Sequence, residues 1–400
     1  MNIVFITSGF LPVPPTKGGA VENLIFNLMK ANEKQENNHL TVYSIYDKSK
    51  NKILKKTCVK YFKVPIWSKF LDLLVYCWAK FFLKKKHLIT YRYFFQRLHF
   101  FKKVGYDLHK NNYDAVILEN NVLMFRALEL YNNFEKYKGK IFYHAHNELG
   151  KTLGYDKYLT KAKKLIGVSD YISNIYRLIL EDSDTEIITI HNTVDESLFL
   201  KEVSSIELTH IRETLNINNG NITILFAGRI CEEKGILELI KALGRLKEYN
   251  YNLVIVGNCF YKTNVKDHFE KLLRSECEKL KGKIVFTGYV PYKYMYKYYQ
   301  LADLCVLPST WNEPFGLTVV ECISSGTPLI TTPVGGIPEN IGESTIMLDT
   351  EDLVSNIEKK LKYYFENKDA LNELKNKARA DRRIYRTLYE YYIEFINSLN

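Results

Sequence analysis

Residues 222–235 read ITILFAGRICEEKG, an apolar run with β-branched residues that ends in a loop bounded by two glycines. The run predicts a buried strand over residues 222–227, and the pattern after the loop predicts a helix. Similar strand, turn and helix patterns recur in both halves of the chain, and this alternation is typical of parallel sheets covered by helices. We therefore predict an α/β protein.

The predicted strands form two sets, which a polar stretch over residues 195–220 separates. A chain of 400 residues is long enough for two domains. We predict a Rossmann-like N-terminal domain over residues 1–200, a Rossmann-like C-terminal domain over residues 201–381, and a helix within residues 382–400 that packs back on the first domain. The first set comprises residues 2–6, 40–44, 115–119, 140–144, 165–168 and 186–190, and the second comprises residues 222–227, 253–256, 284–287, 304–307 and 328–331.

The composition is that of a globular protein, because 46% hydrophobic and 25% charged residues exclude wholesale disorder. The 7 cysteines include no CxxC pair, which favours a reducing environment. The first residues lack the basic segment of a signal peptide. The longest apolar stretch, residues 70–83, is interrupted by Asp72 and Lys80, so we predict no membrane-spanning helix and a cytoplasmic location.

Positive charge is concentrated in residues 51–110, which hold 15 basic residues and only two acidic ones, Asp72 and Asp107. The same window holds 15 aromatic residues. This combination favours contact with an anionic membrane surface, at the inner face of the membrane for a cytoplasmic protein. Ordinary amphipathic helices with aromatic cores are an open alternative. Nucleic acid is not predicted as a partner, because no helix-turn-helix, RRM or zinc-finger signature accompanies the charge.

The loop after the strand at residues 222–227 carries two cations, Arg229 and Lys234. Two cations five residues apart around a loop can bind a diphosphate, and Gly228 and Gly235 allow close approach of the backbone. A solvated loop is the alternative, since Arg and Lys are usually exposed.

A second motif, EPFGLTVVE at residues 313–321, follows a predicted strand and opens a helix. The first N–H groups of that helix would point outward, where the helix dipole favours a phosphate or sugar oxygen. Glu313 can accept hydrogen bonds from sugar hydroxyls and Glu321 from ribose hydroxyls. The N–H groups concerned are those of Gly316, Leu317 and Thr318.

Gly18 and Gly19 follow the first predicted strand and precede a helix, so flexible backbone lies at the carboxyl edge of the sheet. Open α/β sheets bind ligands at that edge. The spacing is not GxGxxG, so a nicotinamide or flavin site is not predicted. A tight turn is the alternative explanation.

His144 and His146 form an H-x-H pair at the end of a predicted strand. We predict no metal site here, on the expectation that the two side chains point to opposite sides and that no Asp or Cys ligand set lies nearby, since zinc needs three or four convergent ligands. Asp182 and Asp184 form a DxD sequence in a polar turn, which we interpret as a solvated loop.

Together these motifs resemble those of glycosyltransferase family 4. The resemblance extends over nearly the whole chain in the expected order, and its C-terminal motifs are the more specific ones. Thr193 departs from the pattern, because many members have glycine there. The residues that carry the resemblance are Gly18, Gly19, His144, residues 167–169, 191–195, 228–235, 313–321 and 335–339.

The resemblance implies the GT-B fold, in which two Rossmann-like domains face each other across a cleft. It also implies a retaining hexosyl transfer from a nucleotide-diphosphate sugar, without a metal or other cofactor. Arg229 and Lys234 would neutralise the leaving diphosphate, and Glu321 would hold the ribose.

Further roles follow from the same resemblance. Glu313 and the backbone of residues 315–317 would hold the donor sugar. Gly19 would lie against the phosphates, and His144, rather than His146, would contact the transferred sugar. The donor-binding residues are Gly18, Gly19, Asn192, Gly228, Arg229, Lys234, Glu313, Phe315, Gly316, Leu317, Thr318 and Glu321, of which Arg229, Lys234 and Glu313 join His144 as catalytic.

The sequence thus predicts a transferase that adds a sugar to a lipid-linked or polysaccharide acceptor at the cytoplasmic face of a membrane, in the synthesis of cell-surface polysaccharide. Two alternatives remain. A sugar-nucleotide epimerase of the same fold would convert the donor without an acceptor, and a binding module would hold nucleotide sugars without turnover.

Overall fold

The structure, a computed structural model, divides the chain into two compact units. The first comprises Met1–His191 and Tyr389–Asn400, and the second comprises Asn192–Leu388. The predicted domain boundary at residue 200 therefore falls inside the second unit. The described residues are 1–16, 18–34, 38–47, 57–82, 93–150, 152–258, 268–382 and 386–400.

The first unit contains a seven-stranded parallel sheet in the order β3-β2-β1-β4-β5-β6-β7. The six strands predicted for this half are confirmed, with ends that shift by at most one residue. Edge strand β3 was not predicted, because Lys60 interrupts its apolar pattern. The strands are β1 (Asn2–Ile6), β2 (His39–Ile45), β3 (Thr57–Phe62), β4 (Ala115–Glu119), β5 (Ile141–Ala145), β6 (Lys164–Gly167) and β7 (Glu186–Thr189).

Seven α-helices of the described chain belong to the first unit. They are numbered in chain order over the whole protein: α1 (Ala20–Glu33), α2 (Ile66–Phe82), α3 (Phe94–Lys110), α4 (Phe125–Glu129), α5 (Asn133–Lys136), α6 (Asp170–Ile179) and α15 (Leu388–Asn397). Short 3₁₀ turns occur at Val122–Met124, Leu130–Asn132 and Asp156–Lys161.

Helix α15 completes the core of the first unit, although it follows the whole second unit in the sequence. Tyr391, Tyr392 and Phe395 are buried against the sheet. The Phe395 ring stacks on Phe5 of β1 with 5.9 Å between the ring centroids. The Tyr392 hydroxyl donates to Asn32 Oδ1 at 2.6 Å, so the buried phenol is satisfied.

The second unit contains a six-stranded parallel sheet in the order β10-β9-β8-β11-β12-β13. The five strands predicted for this half are confirmed. Strand β13 was not predicted, because this edge strand is only half-buried and needs less apolar sequence than the fully buried β12. The strands are β8 (Ile222–Ala227), β9 (Tyr251–Val256), β10 (Lys283–Gly288), β11 (Leu304–Leu307), β12 (Leu329–Thr331) and β13 (Thr345–Met347).

Buried side chains of the strands and of several helices form the core of the second unit. The helices of this unit are α7 (Glu196–Phe199), α8 (Ser205–Thr214), α9 (Ile236–Arg245), α10 (His268–Cys277), α11 (Met295–Leu301), α12 (Leu317–Ser324), α13 (Leu353–Glu366) and α14 (Lys368–Ala380). Short 3₁₀ turns occur at Glu232–Lys234, Tyr292–Tyr294 and Ile337–Asn340.

The predicted α/β class is confirmed by these two parallel sheets. Among the described residues, no helix combines the length and the apolar character that crossing a membrane requires.

We expect Phe395→Ala to lower the free energy of unfolding of the first unit by about 3–5 kcal/mol, because it leaves a cavity between α15 and the sheet. Urea denaturation followed by circular dichroism measures the loss. Tyr389→Ala is the matched control, since this aromatic residue of the same helix is 47% exposed and its loss should change stability by about 0.5 kcal/mol at most. Equal effects of the two substitutions would contradict the role of α15.

Candidate functional site

Two of the predicted motifs meet at the carboxyl edge of the second sheet. Lys234 lies in the loop after β8, and Glu313 lies in the loop after β11, which pairs with β8. The Lys234 ammonium forms a direct ion pair with the Glu313 carboxylate. Ser309 Oγ donates a hydrogen bond to the same carboxylate at 2.8 Å. A buried carboxylate and a cation from two separate loops are therefore joined.

Arg229, the other predicted cation, is held less tightly than Lys234. Its side chain is 50% exposed, and its only ion-pair contact with a described residue is Glu233 at 3.9 Å. An exposed pair at this distance contributes little to stability. The Arg229 side chain can therefore change position at small cost when an anion arrives.

The first turn of α12 adjoins this pair. Gly316 precedes the helix with φ +86°, and a Cβ there would lie 3.1 Å from Ile337 Cγ1, so glycine suits both the backbone and the space. The Phe315 carbonyl accepts a hydrogen bond from Asn340 Nδ2 at 2.8 Å, which fixes the approach to the helix. The N–H groups of Leu317 and Thr318 then lack partners within the helix and can donate to a ligand.

A small crevice connects these elements, with a volume of about 10 Å³, enough for one water molecule. Lys234, Ser309, Glu313, Gly316 and Thr318 line it. Ser309 was not predicted as a site residue. The signal available in the sequence was its position at the carboxyl end of a buried strand.

Glu321 lies one turn inside α12 and is buried. Its carboxylate accepts a hydrogen bond from the Tyr299 hydroxyl at 2.9 Å. Burial raises the pKa of Glu321 to about 7, against which the Tyr299 hydrogen bond has the smaller effect. The carboxyl group is thus partly protonated near neutral pH.

The remaining predicted residues are divided between the units. Gly228 follows β8, and Asn192 begins the second unit and is buried. Gly18 and Gly19 lie between β1 and α1 of the first unit. At Gly19, φ is +116° and a Cβ would lie 2.1 Å from Glu22 Oε2, so no other residue fits without a shift.

His144 ends up in a buried cluster of the first unit together with Glu119 and His146. Glu119 Oε2 accepts hydrogen bonds from His146 Nε2 at 2.7 Å and from His144 Nδ1 at 3.1 Å. The expectation that the two imidazoles point to opposite sides is wrong, because residues two apart on a strand share a face. Their ring centroids are 4.1 Å apart.

Glu119 was missed in the sequence. Glu119 is the last residue of the buried strand β4 and pairs in register with His144 of β5. The signal available in the sequence was a carboxylate at the end of an apolar run. Burial alone would raise the pKa of Glu119, but the two imidazoles lower it to about 2. Burial, together with His144, lowers the pKa of His146 to about 4.

These values fix the hydrogen-bond roles in the cluster. An ionised carboxylate only accepts, so both imidazoles donate to Glu119. Because the pKa of His146 is about 4, the other nitrogen of its ring keeps a lone pair at neutral pH. His144 Nε2 is buried without a hydrogen-bond partner among the described residues, and His144 packs 5.1 Å from the Phe395 ring.

The same three side chains could hold a metal ion, since their ligand atoms lie within 4.8 Å of one another. Their mutual distances of 2.7 and 3.1 Å are those of direct hydrogen bonds. Asp182 and Asp184 are exposed and belong to no such group of described residues.

We expect the stability of Glu321→Gln, measured relative to the natural protein, to be higher at pH 8 than at pH 5. The folded protein holds the Glu321 proton up to about pH 7 and the unfolded chain only to about pH 4.5, so stability is lost across this interval. Glutamine is neutral throughout and keeps an acceptor for Tyr299. The difference in melting temperature between variant and natural protein should therefore shift in favour of the variant from pH 5 to pH 8.

Glu351→Gln, at an exposed glutamate of the same unit, is the control and should show no such trend. A pH-independent difference for Glu321→Gln would rule out the raised pKa.

Known proteins resemble this chain in sequence and in fold. Residues 209–381 match the family model described as "Glycosyl transferases group 1". "Putative glycosyltransferase YtcC" of Bacillus subtilis is 24% identical over 95% of this chain and 87% of the relative. "Lipopolysaccharide 1,2-N-acetylglucosaminetransferase" of Salmonella typhimurium is 24% identical over 56% of each chain.

Among solved structures, Anabaena Alr3699/HepE in complex with UDP and glucose has a TM-score of 0.70 at 18% identity, over 100% of this chain and 99% of that one. The expected fold is confirmed, while the narrower assignment to family 4 stays a prediction. Residues 209–381 thus match a glycosyl transferase family model, and the whole chain has the GT-B fold.

Proposed function

We propose that this protein is a retaining, metal-independent glycosyltransferase that moves a sugar from a nucleotide-diphosphate donor to a glycan or lipid-linked acceptor. The observation that carries the proposal is the Lys234–Glu313 ion pair beside Arg229 and the first turn of α12. In this pair the Lys234 ammonium, which can bind a phosphate, directly contacts the Glu313 carboxylate, which can accept hydrogen bonds from sugar hydroxyls.

Departure of the diphosphate is the step that needs stabilisation, because negative charge grows on the leaving oxygen. The Arg229 guanidinium, the Lys234 ammonium and the N–H groups of α12 would donate to that charge. When a diphosphate binds Lys234, the Glu313 carboxylate is released from its ion pair and can accept hydrogen bonds from the sugar hydroxyls. Donor binding would thus assemble both halves of the site at once.

Two protein cations would supply the charge that a divalent ion supplies in metal-dependent transferases. With retention, the acceptor hydroxyl attacks the anomeric carbon on the face from which the diphosphate leaves. The bond from this carbon to the diphosphate oxygen breaks, and the acceptor proton passes to a phosphate oxygen. No protein nucleophile is required.

Glu321 and the histidine cluster would contribute hydroxyl contacts. Glu321 would accept from the ribose, and His144 Nε2 would form a hydrogen bond with a hydroxyl of the transferred sugar. The proposed product is a cell-surface glycan. The name of the Salmonella relative, a lipopolysaccharide N-acetylglucosaminetransferase, supports this class of acceptor.

An unusual exposed face of α2 supports a membrane location for the acceptor. Six apolar residues of this helix are between 50 and 85% exposed. The buried side of the helix instead holds Ser68 and Asp72, and Asp72 accepts hydrogen bonds from the backbone N–H groups of Phe95 and Gln96 at the start of α3. The exposed residues are Ile66, Trp67, Phe70, Leu73, Leu74 and Trp78.

We therefore propose that α2 lies on an anionic membrane surface, on the cytoplasmic side, with basic residues of the window 51–110 beside it. Apolar side chains of this size gain on transfer from water to the lipid interface, and lysines gain from anionic headgroups. Lys102 and Lys103 are exposed on α3, while Lys84, Lys85 and Lys86 lie outside the described residues.

We expect Arg229→Ala to lower turnover on the order of 10²-fold, because it removes stabilisation of the leaving diphosphate. The fold should be unaffected, since Arg229 is half-exposed. Calorimetry first selects the donor that binds from UDP-, GDP-, ADP- and dTDP-sugars. The measurement is then the initial rate of nucleoside diphosphate release from this donor in excess EDTA, with membrane lipid extract as acceptor.

Arg245→Ala is the matched control, because Arg245 is an exposed arginine of the same unit that pairs with Glu358. Near-normal turnover in Arg229→Ala would contradict the diphosphate role, and recovery only with added metal would contradict metal independence. Donor conversion without acceptor would indicate an epimerase, and binding without turnover would indicate a binding module.

We expect the triple variant Ile66→Ser, Phe70→Ser, Leu73→Ser to bind anionic vesicles on the order of tenfold or more weakly, because each serine removes apolar surface from the lipid interface. Co-sedimentation with vesicles of phosphatidylcholine and phosphatidylglycerol measures this. The control variant Leu178→Ser, Ile206→Ser removes exposed apolar residues elsewhere. Unchanged vesicle binding, or an equal loss in the control variant, would contradict the membrane contact and would favour an ordinary amphipathic helix.

A further inference from the structure

A second depression, of about 500 Å³, lies in the first unit between the end of β3 and helix α3. This volume is within the range of small-molecule sites. Its lining combines basic and aromatic side chains and contains a single carboxylate. The lining residues are Tyr61, Phe62, Lys63, His99, Lys103, Tyr106 and Asp107.

The carboxylate of this depression is already neutralised. Asp107 Oδ2 lies 2.5 Å from Lys60 Nζ and accepts a hydrogen bond from the Tyr43 hydroxyl at 2.6 Å. Lys63 and Lys103 are exposed and form no ion pair with any described residue. The depression therefore carries a net positive charge.

His99 reports the same positive potential. Burial lowers the pKa of His99, and the nearby charges of Lys103 and Lys102 lower it further. The positive charges that oppose protonation of His99 would attract an anion to the same place.

The depression adjoins the exposed face of α2 through one ring contact. The ring of Trp67, which belongs to that face, packs edge-on against the His99 ring with 5.7 Å between the centroids. A basic depression next to a row of exposed apolar side chains matches an amphiphile, which carries an anionic group at one end and apolar chains at the other.

We propose that this depression binds the phosphate group of a membrane lipid, with Lys63 and Lys103 donating to the phosphate oxygens. His99 would add one N–H donor, and the apolar part of the lipid would lie against α2. The inference rests on the proposed membrane contact and adds to it a specific headgroup site. The ligand chemistry, a phosphate ester, could also be met by free phosphate, so the test separates these two sources.

The test is calorimetric titration of the full-length protein with dihexanoylphosphatidic acid, a short-chain lipid used below its micelle concentration, and separately with inorganic phosphate. We expect saturable binding of one short-chain lipid per chain and at least tenfold weaker binding of inorganic phosphate. The variant Lys63→Gln, Lys103→Gln should bind the lipid at least tenfold more weakly.

The matched control is Lys138→Gln, Lys140→Gln, which removes the same charge from exposed positions of the same unit. It should bind the short-chain lipid within about twofold of the natural protein. Equal loss in both variants would overturn the site in favour of general charge attraction. Inorganic phosphate that binds as tightly as the lipid would overturn the lipid as ligand.

Failure of this inference can be told from failure of the membrane proposal. The first case is that the natural protein binds vesicles and the triple variant in α2 binds them more weakly, but short-chain lipid does not bind. The proposed headgroup site is then wrong, and the proposed contact of α2 with the membrane is supported. If short-chain lipid binds and is lost in Lys63→Gln, Lys103→Gln, the site stands even where the α2 variant leaves vesicle binding unchanged.

Discussion

The parallel pairing of the strands is the constraint on which the functional chemistry of this protein depends. In a parallel sheet every strand ends at the same edge, so the loops that follow the strands meet there whatever their distance along the chain. Lys234 and Glu313 are 79 residues apart and form an ion pair by this route. Glu119 and His144, 25 residues apart, meet in the same way in the other sheet.

Most of the fold could be predicted from the sequence, because a strand buried on both faces is a short apolar run that ends in a turn. The loops at the site could be placed for the same reason, since Arg229, Lys234 and Glu313 each follow such a strand. Their pairing could not be predicted. Which cation meets which carboxylate depends on the positions of neighbouring strands, and the sequence leaves Arg229 and Lys234 equivalent.

The parts that the sequence did not reveal have physical causes in common. Strand β3 lies at the edge of its sheet and needs little apolar surface, so Lys60 can sit within it. Helix α2 has an amphipathic pattern, but the pattern does not say which side is covered. Its polar residue Asp72 is inside because it caps α3, and its apolar residues are therefore outside. Glu119 was hidden because a single carboxylate carries no motif.

The sequence position of α15 affects how the protein can assemble during synthesis. The second unit, residues 192–388, is one continuous segment and contains everything that its sheet and core require. The first unit lacks Tyr391, Tyr392 and Phe395 until the ribosome has passed through that whole segment. The apolar surface that α15 covers therefore stays exposed while the second unit is synthesised. The first unit begins to be synthesised before the second but completes its core after it.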